Sequence, residues 1–127
     1  MAKYLVDYED VGFTTSQVLA EAFVDEEDLK RVNCSFANNS KFPAQVMEVT
    51  QVHACADDGQ DGEDIKSFVC VTLKVEAESA AAAEKVIPVE FLTSLIASLL
   101  VTGDETVSLE GNWEVVDVQP TEPQTNA

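Results

Sequence analysis

The run Asp57-Asp58-Gly59-Gln60-Asp61-Gly62-Glu63-Asp64 is a dense set of oxygen donors punctuated by glycine. Read as an EF-hand loop starting at Asp57, it puts Asp61 and Gly62 where a ligand and the obligatory glycine belong. Position three is then Gly59 and position twelve is Phe68, so two oxygen donors that calcium needs are missing. An exposed acidic hairpin tip is the better reading, with weak calcium binding as the sharper alternative. Cys34, His53, Cys55 and Cys70 form a second set, with enough ligands in principle for zinc. His53 and Cys55 are two apart in a strand-like context and share a face. No CxxC pair occurs, and cysteine in an apolar context behaves as a small hydrophobe. Neither a metal nor a cofactor is expected.

Nucleophilic catalysis has little to work with. The chain holds one histidine, and no GxSxG, Gly-rich phosphate loop or HExxH is present. A cysteine paired with His53 is the one arrangement left, and buried thiols beside a lone imidazole are the simpler account. Paired carboxylates are so frequent by composition that they point to no glycosidase-type site. No enzyme activity is expected.

Those carboxylates carry the main signal. The chain has 24 Asp and Glu against 7 Lys and Arg, a formal net charge of -17 over 127 residues. Self-repulsion at that level opposes a compact state, and solubility of a small domain needs only roughly 2–8 charges. The acids cluster along the chain: Asp7, Glu9 and Asp10; Glu21, Asp25, Glu26, Glu27 and Asp28; Asp57, Asp58, Asp61, Glu63 and Asp64; Glu76 and Glu78. A surface of this sign repels anionic lipid and nucleic acid, so direct binding to either is not expected. Cations are mostly lysine and apolar residues are not reduced, which argues against salt adaptation.

The elements that must hold these residues follow from pattern. Apolar residues make up 46 % of the chain, ordinary for a folded domain and too many for a disordered tail. Three cysteines without regular spacing suit a reducing cytosol. No stretch approaches the roughly 20 apolar residues of a membrane span, and the N-terminus lacks an apolar leader, so a cytoplasmic location is expected. Tyr4 to Tyr8 alternates as a first strand. Thr14, Gln17 and a Phe13–Val18 staple predict a helix start, and Asp25 to Asp28 predict the positive end of a second short helix. Period two then predicts strands at Val32–Phe36, Gln45–Cys55 and Ser67–Ala77, the last two forming a hairpin around the Asp57–Asp64 turn. Ser79 caps an alanine helix that breaks before Pro88, and an apolar stripe from Phe91 to Leu100 follows, stopped by Gly103. Val107, Leu109 and Trp113 alternate in a last strand, with a bulge at Val115-Val116.

The expected fold is therefore α+β: a mostly antiparallel sheet of about five strands with helices on one face, a ferredoxin-like variant. Residues 1–118 are expected to form a single acidic domain and 119–127 a flexible C-terminal tail. In size, charge and lack of motifs the chain resembles, as a class, the small acidic inhibitors that phages and mobile elements aim at host nucleases. That resemblance lies in charge, carried by no motif. It implies a non-enzymatic nucleic-acid mimic, anti-restriction or anti-CRISPR in type, filling a basic groove of a nucleic-acid-processing protein in the host cytoplasm. The residues expected to bind this basic partner are Glu21, Asp25, Glu26, Glu27, Asp28, Asp57, Asp58, Asp61, Glu63 and Asp64. The alternative is a structural or adaptor protein of a larger assembly, such as a virion, binding through the Phe91–Leu100 stripe. Homodimerisation through that stripe is open as well.

Overall fold

The structure is a computed structural model that describes residues 2–37, 45–57 and 64–121. In chain order its elements are β1 (Ala2–Thr14), α1 (Gln17–Ala20), α2 (Glu26–Ala37), β2 (Val46–Ala56), β3 (Ile65–Ala77), α3 (Ala80–Ala83), α4 (Val89–Leu99), β4 (Val101–Thr102), β5 (Glu105–Thr106), β6 (Ser108–Leu109) and β7 (Glu114–Pro120). The main sheet runs β2-β3-β1, and β6 and β7 lie end to end along the outer edge of β1. Every pairing in it is antiparallel. This is an α+β fold on the β-α-β-β-α-β plan of a ferredoxin-like domain, with β6 as the added strand.

Strict alternation builds the two faces of the sheet. Val6 and Tyr8 of β1 and Val69, Val71, Leu73 and Val75 of β3 are buried on one side, joined by Val49, Val52 and Ala54 of β2. Leu19, Leu29, Ala83, Leu92, Leu95, Ile96 and Leu100 cover them in one continuous core. Burying a side chain of this size stabilises by roughly 1.5–3 kcal/mol, so this face determines the register. The intervening residues of β1 and β3 are half-buried or exposed, and none of them is fully buried.

Helix starts obey capping chemistry, though not always at the expected residue. Ser16, not Thr14, caps α1, accepting from Leu19 N–H at 3.3 Å. Thr14 is the last residue of β1 and accepts from Ser16 N–H at 3.1 Å. Phe13 and Val18 are both exposed, so the expected staple is not made. Asp25 caps α2 by accepting from Asp28 N–H at 2.9 Å, and Glu26, Glu27 and Asp28 occupy its first turn. The expected strand at Val32–Phe36 is wrong: α2 continues to Ala37. Val32 and Phe36 are four apart, a spacing that fits a helix as well as an alternating strand. Leu29 is buried and Val32 packs partly against the core on the helical spacing. Ser79 caps α3, and the helix breaks ahead of Pro88, which takes the N-cap of α4. Gly103 does not stop α4, which ends at Leu99; at φ +61° it turns the small β4–β5 hairpin instead.

The β2 edge of the sheet has a specific solution. Along the outer edge of β2, Asn33 of α2 donates to Val49 C=O at 3.1 Å and accepts from Val49 N–H at 2.8 Å. Val24 N–H donates to Val52 C=O and Ala54 N–H to Ala22 C=O on the same edge. These contacts occupy backbone groups that would otherwise template another strand. On the opposite side, Gly12 admits Val107: a Cβ there would stand 2.5 Å from Val107 Cγ1. Asp10, grouped by sequence with surface acids, is buried. Its carboxylate accepts from Gly111 N–H at 2.7 Å and Asn112 N–H at 3.1 Å, pinning the bend between β6 and β7. Val116 is the bulge, since Tyr8 pairs with Val115 while Asp7 pairs with Asp117. Strand β7 runs on through Pro120, so Gln119 and Pro120 pair with Leu5 and Tyr4 and are not part of a loose tail.

Candidate functional site

The solvent face of the sheet is where charge is placed against local stability. Register puts Asp7 directly opposite Asp117, and Glu9 directly opposite Glu114. Directly opposed residues of antiparallel strands share a face, with Cβ atoms about 4.5–5.5 Å apart. Each row continues across the sheet: Gln51, Thr72, Asp7 and Asp117 in one, and His53, Cys70, Glu9 and Glu114 in the next. Like charges facing each other in this way destabilise by roughly 0.2–1 kcal/mol per pair. None of these four carboxylates has a cationic partner among the described residues; Arg31 pairs instead with Asp28, and Lys74 with Glu48. The partners they do have are neutral donors: Thr72 Oγ1 to Asp7 at 2.6 Å and Gln119 Nε2 to Asp117 at 2.6 Å.

Cations on this face stand toward its ends. Lys74 reaches Glu48 at 4.0 Å, Lys3 pairs in register with Glu76, and Lys66 lies 5.4 Å from the centre of the Phe68 ring. Between them runs a groove of about 330 Å³ lined by Leu5, Asp7, His53, Thr72, Val116 and Asp117, among others. Val116 is more than half exposed because the bulge turns it outward. At the groove's margin, Phe23 stacks on His53 with ring centroids 6.2 Å apart and planes at 20°. Cys70 points its Sγ toward Glu9 Oε2 at 3.6 Å, and burial, reinforced by that carboxylate, pushes its thiol up to about 11. A thiol held this strongly in the protonated form is a poor nucleophile near neutral pH.

The acids expected to bind a partner sit elsewhere. Glu21, Asp25, Glu26 and Glu27 are exposed, and Asp28 is half-buried and pairs with Arg31. Phe23 opposes His53, which brings Glu21 level with Cys55 and Asp25 level with Gln51 along the β2 edge. Asp57 and Asp64 flank the hairpin tip, with Asp57 N–H donating to Lys66 C=O at 2.8 Å. Asp58, Asp61 and Glu63, and with them the calcium reading, lie outside the described residues. The described members of the two sequence clusters therefore border β2 along its edge and at one end, while the opposed pairs lie on the other side of the sheet, across β1 and the edge strand β7. Asp7 and Glu9 stand in an acidic run of the sequence, whereas Glu114 and Asp117 belong to none of its acidic clusters. Only the pairing of β7 with β1, bulge included, sets them opposite. Glu78, Glu84, Glu90, Asp104, Glu105 and Glu110 are exposed as well, so acidity is not confined to one side.

Of the zinc set, His53, Cys55 and Cys70 share the open face, while Cys34 lies on α2. Among the described residues no three His, Cys, Asp or Glu side chains converge as metal ligands would. The apolar stripe of α4 is used internally: Leu92, Leu95, Ile96 and Leu100 are buried, and Phe91 packs partly against the same core. Among the described residues no helix is long and apolar enough to cross a membrane. Comparison with known proteins finds no matching family model, no matching curated sequence and no matching solved structure.

Proposed function

We propose that this protein is a non-enzymatic acidic binding protein that occupies a basic groove of a nucleic-acid-processing protein, acting as a nucleic-acid mimic. One observation carries the reading: Asp7 faces Asp117 and Glu9 faces Glu114 across β1 and β7, and none of these four carboxylates has a cationic partner among the described residues. A fold selected for stability alone would intersperse bases among these acids, because self-repulsion and opposed like charges both cost free energy. A lysine- and arginine-lined groove recovers that cost on binding, gaining electrostatic steering and releasing the counterions that both surfaces held. Inhibition would be competitive, the acidic body filling the channel that a nucleic acid otherwise fills. This is the mode of inhibitors that phages and mobile elements direct at restriction and CRISPR enzymes. The packing of most of the α4 stripe into the core favours this reading over an adaptor that docks through that stripe.

The test is affinity capture on the immobilised protein from a bacterial lysate at low and at high salt, with duplex DNA added as competitor. The retained proteins are expected to be basic and nucleic-acid-binding, to leave at high salt, and to be displaced by the DNA. Retention of partners that DNA does not displace would refute mimicry.

A further inference from the structure

We infer that docking is centred on the open sheet face, and that a cationic side chain of the partner enters the groove between Asp7 and Asp117. The inference rests on the reading above that the partner surface is a lysine- or arginine-lined nucleic-acid groove. It departs from the sequence expectation, which placed the contact at Asp25–Asp28 and the Asp57–Asp64 tip.

Three independent features of this face converge on that occupant. The first is shape. The face is uncovered by any described helix, and its groove of about 330 Å³ has an aliphatic floor and wall at Leu5 and Val116. An arginine or lysine side chain needs both parts, apolar surface for its stem and carboxylate for its head. The second is charge. Asp7 and Asp117 face each other with no cation between them, so a guanidinium placed there satisfies both and removes their repulsion. The acids at the start of α2 are otherwise engaged: they complement the helix dipole, Asp25 caps the helix and Asp28 pairs with Arg31. The third is spacing. Asp7 and Glu9 are two residues apart on β1, about 6.8 Å, and each heads a row of two carboxylates. That gives one charge per about 3.4 Å along the strand, the axial charge density of one nucleic-acid strand. Cations in a groove built for phosphates meet the same density on this sheet.

The partner's chemistry is represented by an octa-arginine peptide, titrated calorimetrically into the protein at low salt. Two double variants remove the same charge from different places: Asp7→Asn with Asp117→Asn on the sheet, and Glu26→Gln with Glu27→Gln on α2. The sheet variant is expected to weaken binding about tenfold and the α2 variant less than about twofold. Amide shifts in a labelled sample should concentrate at Asp7, Glu9, Thr72, Val116 and Asp117. Asp117→Lys on the exposed edge strand is a second variant that leaves the Thr72–Asp7 contact intact. It should abolish binding while the thermal midpoint is retained or raised, because a lysine opposite Asp7 removes the repulsion of that pair. Equal losses from the two double variants, or a larger loss from α2, would overturn the sheet as docking centre and leave the basic-partner reading standing. No measurable binding of octa-arginine by the wild-type protein would overturn both.

Discussion

Cys70 shows how the open face acts on a single residue. Its thiol lies 3.6 Å from Glu9 Oε2, and burial together with that carboxylate moves its pKa from 9.0 to about 11. The exposed Cys55 should therefore alkylate with iodoacetamide well ahead of Cys70 at pH 8, read by mass spectrometry of the digested protein. Glu9→Gln should speed Cys70 alkylation, because it removes the neighbouring negative charge and leaves only a neutral amide oxygen to accept the S–H. An unchanged rate would mean that the carboxylate does not hold the proton. The same shift has a consequence for stability. A thiol whose folded value is raised binds its proton better in the native state, so its contribution is complete below pH 9. It is lost as pH rises from 9 toward 11. Tyr8, pushed from 10.0 to about 12 by burial and then by Glu84, extends that loss to higher pH. Residue type alone announced none of this. Cys70 and Glu9 are 61 positions apart, and their meeting depends on the β1–β3 register, in which Glu9 faces Cys70.

Among the elements, α2 does more than cover the core. Its Asn33 side chain both donates to and accepts from the backbone of Val49, imitating a further strand along the β2 edge. Asn33→Ala should cost about 1–3 kcal/mol in urea denaturation, from two lost hydrogen bonds with part-buried backbone groups. It should also bare the edge, so sedimentation velocity at rising concentration should detect association that the wild-type protein does not show. A variant equally stable and equally monomeric would mean that the edge is protected by other means. Elements were legible in the sequence where one signal dominated. The alternation of Val69, Val71, Leu73 and Val75, the Ser79 cap and the proline break before α4 all match the structure. They were illegible where two signals coincided. Thr14 and Ser16 are both good caps two residues apart, and tertiary pairing of Thr14 with Ile65 in the sheet decides for Ser16. Val32 and Phe36 suit either period, and burial of Leu29 one turn earlier decides for the helix.

For the whole molecule, the α+β class and its mostly antiparallel sheet were legible because strong local patterns leave few ways to arrange a handful of strands and two helical crossovers. Which acids oppose one another was not, since a bulge of one residue at Val116 changes the partner of Asp7. That register gives the net charge of -17 a measurable effect. Screening shortens the reach of each carboxylate from about 30 Å at 0.01 M salt to about 3 Å at 1 M. The thermal midpoint should therefore rise across this range, with sodium chloride and choline chloride equally effective at equal ionic strength. Asp7→Asn with Asp117→Asn should be more stable than wild type at low salt, by roughly 0.2–1 kcal/mol for the relieved pair. The gain should shrink as salt increases, because the repulsion it removes is already screened. A midpoint that stays level or falls with salt would show that the surface is balanced by contacts stronger than its repulsion. The opposed rows would then carry no strain for a basic partner to relieve. If the gain appears at low salt and fades at high salt, the sheet stores repulsion that a cationic groove can release. Partner association should then weaken over the same salt range in which the isolated protein grows more stable, because one set of carboxylates governs both.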